Sequence, residues 1–213
     1  MVKKILKNFV FAEKTAPLAQ KIRQAKVHRE TKETKIEGTF VLDGSGITKI
    51  DSPIGFLNHM LELFCFHGQF DLNLRAVGDV QVDPHHTIED VGICLGQALH
   101  QSLGEKIGIQ RYSCVYLPMD ETLSRTVVDI SGRFYHHFSA PCKESPLGQF
   151  PTEMVRHFFY SLANQAALTL HQEILYGDND HHKVEALFKG FGWSLKEAAM
   201  VVSNALPSTK GKL

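Results

Sequence analysis

The chain has 213 residues, 43% hydrophobic and 22% charged: enough apolar mass for one large globular domain or two small ones, and too much for a disordered chain. Its 23 Lys and Arg balance 23 Asp and Glu, so the basic excess of a nucleic-acid binder is missing. Four scattered cysteines without a Cys-x-x-Cys pair read as reduced thiols in a cytosol, and no apolar run approaches a membrane span.

In chain order, residues 1–28 read as an N-terminal extension with a weak helical pattern through Leu18 and Ile22. Lys35 to Leu42 and Ile47 to Ile50 read as strands, and the turn Asp43-Gly44-Ser45-Gly46 between them predicts a hairpin. A helix follows over Phe56 to Phe64, then an alternating strand over Asp71 to Ala76. From His85 to Leu103 a long helix buries Ile88, Val91, Leu95, Ala98 and Leu99. The order then repeats. Strands are expected at Ser113–Leu117, Leu123–Ile130 and Gly132–Phe138, a helix over Glu153–Ala163, and a strand holding Leu168 and Leu170. A last helix starts at His181 and is expected to run to about Leu206.

The repetition extends to chemistry. Six of the twelve histidines form the doublets His85-His86, His136-His137 and His181-His182. The first and third begin copies of His-His-x-x-Glu, ending at Glu89 and Glu185, 96 residues apart. His59 and His157 precede them, 98 apart, and Leu72 and Leu74 align at the 96-residue offset with Leu168 and Leu170. Duplication of an ancestral half explains this, and several strands with two helices per half make the class α+β. On a helix, i and i+4 share a face, so His85 pairs with Glu89 and His181 with Glu185. His86 and His182 lie about 100° further round. Six imidazoles and two carboxylates without thiolate suit Mn²⁺, Fe²⁺ or Zn²⁺, and a mixed set with six ligand positions leans towards Mn²⁺. A lone His at a helix start is usually a cap or surface group; two matched copies favour a metal. His136-His137 has no carboxylate at i+4 and reads as surface or packing. By spacing alone Asp120-Glu121 is a turn, Arg111 and Arg133 are solvated charges or phosphate clamps, and Pro207 to Lys212 is a frayed end or a phosphate-gripping arm.

The segments Arg29–Thr34, Asn58–Leu61, Asp83–Asp90, Pro118–Glu121, Ser131–Arg133, His181–Glu185 and Pro207–Gly211 resemble, in order, the imidazoleglycerol-phosphate dehydratase family of histidine biosynthesis. The resemblance spans residues 29–213 and implies a dehydratase domain of two repeats, about 29–108 and 109–206, with a phosphate-binding tail at 207–213. It implies ribosomal S5 domain 2-like halves with helices packed between the sheets. It also implies a cytoplasmic, large, cubic-symmetry homo-oligomer with active sites between subunits, acting on a phosphorylated imidazole. Two Mn²⁺ per active site follow from it. By matching positions one ion takes His85, Glu89, His181 and Glu185, and the other His59, His86, His157 and His182. Glu33, His59, His67, His85, Glu89, Arg111, Arg133, His181, Ser208 and Lys210 are the implied substrate contacts. Glu33 is the first candidate for proton transfer, Asp120 the second, and Glu185 belongs to the same catalytic set.

The substrate of that family must lose water beside an imidazole although the neighbouring C–H is not acidic. A ring held between two divalent ions is stabilised as imidazolate and can expel the hydroxyl, giving a diazafulvene-like intermediate. Proton loss and tautomerisation then yield imidazole acetol phosphate, with a carboxylate as general acid or base. A metal-storage helix bundle would instead carry Glu-x-x-His pairs on four helices. A zinc hydrolase would leave an open position beside three protein ligands. A Gly-x-Ser-x-Gly elbow and a His-Glu-x-x-His pair are both missing from the sequence.

Overall fold

The computed structural model describes residues 22–143 and 146–213. The helical pattern through Leu18 lies outside them. Strands β1 (Gln24–Glu30), β2 (Thr34–Val41) and β3 (Thr48–Asp51) precede helix α1 (Gly55–Gly68), strand β4 (Asp71–Gly78) and helix α2 (His85–Leu103). The second half repeats the order: β5 (Tyr112–Met119), β6 (Thr122–Asp129), β7 (Tyr135–Ser139), α3 (Met154–Ala166), β8 (Thr169–Tyr176) and α4 (Asp180–Ala199). The sheets have matching strand orders, β1-β2-β4-β3 and β5-β6-β8-β7, with the last pair of each parallel. The class is α+β with duplicated halves.

The hairpin expected between β2 and β3 does not form. β2 pairs with β1 and β4, and β3 lies on the far side of β4. The Asp43–Gly46 turn is a crossing instead, held by Asp71 at the start of β4. Its carboxylate accepts the backbone N–H groups of Ser45 (2.7 Å) and Ile47 (2.9 Å). Turn chemistry was read correctly from the sequence, but the strand that intervenes comes from 25 residues later.

The helices occupy the layer between the sheets, and they pair across the duplication. α2 packs on α3 and against β1 and β2; α1 packs on α4, which lies on β5 and β6. Both pairings rest on a glycine. A Cβ on Gly96 would strike the carbonyl oxygen of Leu162, and one on Gly192 the carbonyl oxygen of Phe64. The partners are offset by 96 and 98 residues, so the same close approach occurs twice. Around them Phe64 stacks on Phe191, and Phe159 packs on Phe188 and Phe191, so the core is continuous across the halves.

The true offset is 98 through β4 and β8, where Leu72 and Leu170 occupy equivalent register positions, opposite Phe40 and Val128. Leu74 therefore matches Gln172, not Leu170. The offset falls to 96 in the loop before each second helix. Two further differences concern ends. β1 begins at Gln24, inside the segment read as an extension. α4 stops at Ala199, because residues 200–205 leave the helix to run along the link between the halves. There Gln110 N–H donates to Met200 O (2.8 Å), Gly108 N–H to Ala205 O (2.9 Å), and Val202 N–H to Gly108 O (2.8 Å). Those bonds satisfy a backbone that the Val201-Val202-Ser203-Asn204 run, poor in helix propensity, gives up cheaply.

Candidate metal centres

The doublets of both His-His-x-x-Glu motifs sit in the first turn of their helices, where local caps fix them. His85 N–H donates to Asp83 Oδ1 (2.6 Å), and His182 N–H to the side chain of Asn179 (3.3 Å). The cross-half pairing of helices then brings each preceding histidine to the other half's motif. His157 on α3 joins His85 and Glu89 on α2; His59 on α1 joins His181 and Glu185 on α4. Within each triad the ligating atoms all lie within 4.8 Å of one another. Within one chain the triads group the candidates differently from the partition that the resemblance implied: each Glu lies with the first histidine of its own motif and the preceding histidine of the opposite half, and His86 and His182 are in neither.

In the α2–α3 triad Glu89 faces both imidazoles, His157 Nε2 at 3.2 Å and His85 Nε2 at 3.6 Å, and the two rings are 4.7 Å apart. The His157 contact lacks hydrogen-bond geometry, which leaves a buried ring nitrogen without a partner. In the α1–α4 triad Glu185 Oε2 lies 3.2 Å from His181 Nε2 and 3.8 Å from His59 Nε2. Its other oxygen contacts Lys189 Nζ. Burial works to raise the Glu185 pKa, but the Lys189 hydrogen bond and charge, together with His181, hold it below the usual carboxylate range. Two imidazoles and a carboxylate converging at this distance form a donor set suited to Mn²⁺, Fe²⁺ or Zn²⁺, and the orphaned His157 nitrogen fits the same reading.

His86 and His182 point elsewhere, each held by a carboxylate through Nδ1. His86 Nδ1 is 3.1 Å from Asp79 and 3.7 Å from Glu33; His182 Nδ1 is 2.7 Å from Glu121, with Asp120 at 3.8 Å from Nε2. The Asp79 and Glu121 hydrogen bonds raise the pKa of both imidazoles, and the His182 bond in turn holds the Glu121 carboxyl far below its ordinary range. A carboxylate on one ring nitrogen sets the tautomer that leaves the other as a lone-pair donor, the usual arrangement behind a metal-binding imidazole. Asp79 and Glu121 were missed in the sequence. Neither has a telling spacing to the histidine it holds, and the β5–β6 turn that carries Glu121 reads as an ordinary loop. Lys189 was missed too, although its i+4 spacing from Glu185 was readable.

The remaining candidates fall in two places. His67, at the end of α1, lies by Glu185 and Lys189; burial and Lys189 lower its pKa against the pull of Glu185. The other group gathers where the second sheet meets the C-terminal tail. Arg111 pairs with Asp129 (2.8 Å) and donates to Pro207 O (2.8 Å). Arg133 donates to Ser131 O (3.3 Å) beside Gly132, which abuts Leu213. Ser208 Oγ donates to Lys212 O (2.9 Å) and accepts from Lys210 N–H (3.3 Å), leaving the Lys210 side chain exposed. His136 packs against Phe138 and Tyr160, in keeping with a packing role, and neither it nor His137 joins a triad.

A family model described as imidazoleglycerol-phosphate dehydratase matches residues 52–195, which hold all eight ligand candidates. The chain belongs to the imidazoleglycerol-phosphate dehydratase family. It is 51% identical to the dehydratase of an Exiguobacterium species over 89% of this chain and 98% of that one. It is 48% identical to that of Clostridioides difficile over 88% and 98%. The crystal structure of the Staphylococcus aureus enzyme matches with a TM-score of 0.74 at 41% identity, covering 84% of this chain and 98% of that one. The Pyrococcus furiosus enzyme matches with a TM-score of 0.76 at 36% identity, over 87% and 99%. Membership makes the chain a dehydratase, a hydro-lyase of histidine biosynthesis. None of the described helices is long and apolar enough to cross a membrane.

Proposed function

We propose that this dehydratase converts imidazole glycerol phosphate to imidazole acetol phosphate and water at two Mn²⁺ sites built on the triads, in the cytoplasm. The convergence of two imidazoles and a carboxylate in each triad carries the reading. Each triad supplies three ligands and keeps its histidines 36–47% exposed. Each chain also holds two spare imidazoles, His86 and His182, primed by carboxylates and turned away. In a homo-oligomer of cubic symmetry those spares would complete the triads of neighbouring copies, putting active sites between subunits.

When bound, the ions would favour the imidazolate form of the substrate ring. The chain's own residues do the rest. Glu33, on the turn between β1 and β2, is exposed and beside His86, so it can accept the proton from the carbon next to the leaving hydroxyl as a diazafulvene-like intermediate collapses. Asp120 takes the corresponding place beside His182 and is the second candidate. Glu185, positioned by Lys189, serves as ligand and as a negative charge next to the ring. We read residues 207–213 as the phosphate-binding tail, in which Lys210 supplies charge and Arg111 and Arg133 supply planar forks.

The test is dehydration of imidazole glycerol phosphate by chelator-treated protein, with and without added Mn²⁺. Activity should depend on the ion. Ala at His85 or His182 should remove about one metal per chain and abolish turnover, and Arg133→Lys should raise KM with the metals intact. Undiminished turnover after chelation, with no metal bound, would sink the assignment.

A further inference from the structure

We infer that the two metal centres are unequal, and that Lys189 makes the α1–α4 centre the weaker one, filled second and emptied first. This rests on reading the triads as metal sites.

The duplication sets up the expectation of equality. Ligands, caps and the glycine contacts between helices all recur at offsets of 96 or 98 residues. Lys189 breaks the match. It stands one turn after Glu185 with Nζ on Glu185 Oε1, and the equivalent position one turn after Glu89 is the half-buried Ile93. Both oxygens of Glu89 are turned to imidazoles, His85 and His157. Glu185 offers only Oε2 to its imidazoles, because the ammonium occupies the other oxygen. With neutral imidazoles the α2–α3 triad carries a charge of −1, whereas the α1–α4 triad with its lysine is neutral.

Lys189 cannot easily leave. Its side chain is 16% exposed, Glu185 is 8% exposed, and Nζ also touches Met119 Sδ at 3.7 Å. A cation fixed on the carboxylate that must bind a divalent ion opposes that ion directly, and burial removes the water and salt that would screen the repulsion. The remaining oxygen still permits binding. The outcome is a gap in affinity, which we expect to be about tenfold or more.

The experiment is titration of Mn²⁺ into the chelator-stripped full-length protein, with free ion read from its electron paramagnetic resonance signal. Two classes of one ion per chain should appear, and Glu185→Gln should abolish the weaker class alone. Lys189→Met should tighten the weaker class until the two merge, whereas Lys189→Arg, which keeps the charge, should preserve the gap. If Lys189→Met does not fold, Lys189→Gln replaces it with the same expected merging. Two equal sites in the wild-type protein, or a gap untouched by loss of the charge, would overturn the inference. Failure of the wild-type protein to bind Mn²⁺ at all would instead overturn the metal reading beneath it.

Discussion

Glu121 ligates nothing in either triad, yet it holds His182 at 2.7 Å and accepts the backbone N–H groups of Asp178 (3.2 Å) and Asn179 (2.8 Å) at the entry to α4. Glu121→Ala should therefore weaken metal binding about 10- to 100-fold although no ligand is lost, measured by equilibrium metal content with circular dichroism as the check on fold. Glu62→Gln, on an exposed part of α1, should leave it unchanged. His136 behaves oppositely from His182. Burial lowers its pKa to about 4 and leaves its Nε2 without a hydrogen-bond partner, so the folded state holds it neutral. An unfolded chain binds that proton near pH 6.5, which means the contribution is present above about 6.5 and is lost as pH falls towards about 4. The loss is at most about 3 kcal/mol at the acid end. His136→Phe should remove this part of the acid destabilisation, read as the difference in denaturation midpoints at pH 7 and pH 4.5. An identical pH dependence in the variant would exclude His136 as its source.

At the scale of elements, the geometry of each triad depends on how close two helices come. Gly96 lets α2 lie against the backbone of α3 at Leu162, one to two turns from His157. Gly96→Ala would force the pair apart, at a cost of about 1–3 kcal/mol. It should also loosen the α2–α3 centre while leaving the α1–α4 centre as it was, a selective effect that metal titration can read. The Glu-bearing pairs of the candidate triads were legible in the sequence because helical spacing is local: His85 and Glu89 share a face whatever surrounds them. Their partnership with His157 was not, because it depends on which helix packs on which. The crossing of β2 and β3 escaped notice for the same reason, since Asp71, which holds the turn, gives no local sign of doing so. Helix α4 ends earlier than the expected Leu206 for the same kind of reason, since the hydrogen bonds that draw residues 200–205 away come from the linker near Gly108, distant in the chain.

For the whole molecule, the proposed sites make assembly and metal binding a single question, because each triad offers three ligands and His86 and His182 belong to neither. If His86 and His182 complete the centres of other copies, coordination free energy is also association free energy. Removing metal should then shrink the particle to smaller folded units, and Mn²⁺ should restore it, as followed by light scattering or sedimentation. A mass indifferent to chelator would show that assembly needs no metal bridge. The fold class and the duplication were readable from periodicity and repeated motifs. Assembly entered only through resemblance, because nothing in a single chain's pattern states how copies meet.

The exchange of helices between halves has a further consequence for ancestry. Neither repeat can build a centre from its own helices, since α1 lacks a partner without α4, and α2 lacks one without α3. An unfused ancestor with one repeat would have met the same need with a second copy, through a two-fold contact that made both centres at once and made them identical. Fusion of two such copies would turn that contact into an internal seam, which in this chain is secured by the hydrogen bonds between the linker and residues 200–205. Once the two copies of the gene were covalently joined, each could change without changing the other. Lys189 opposite Ile93 is a difference that a symmetric dimer could never have kept.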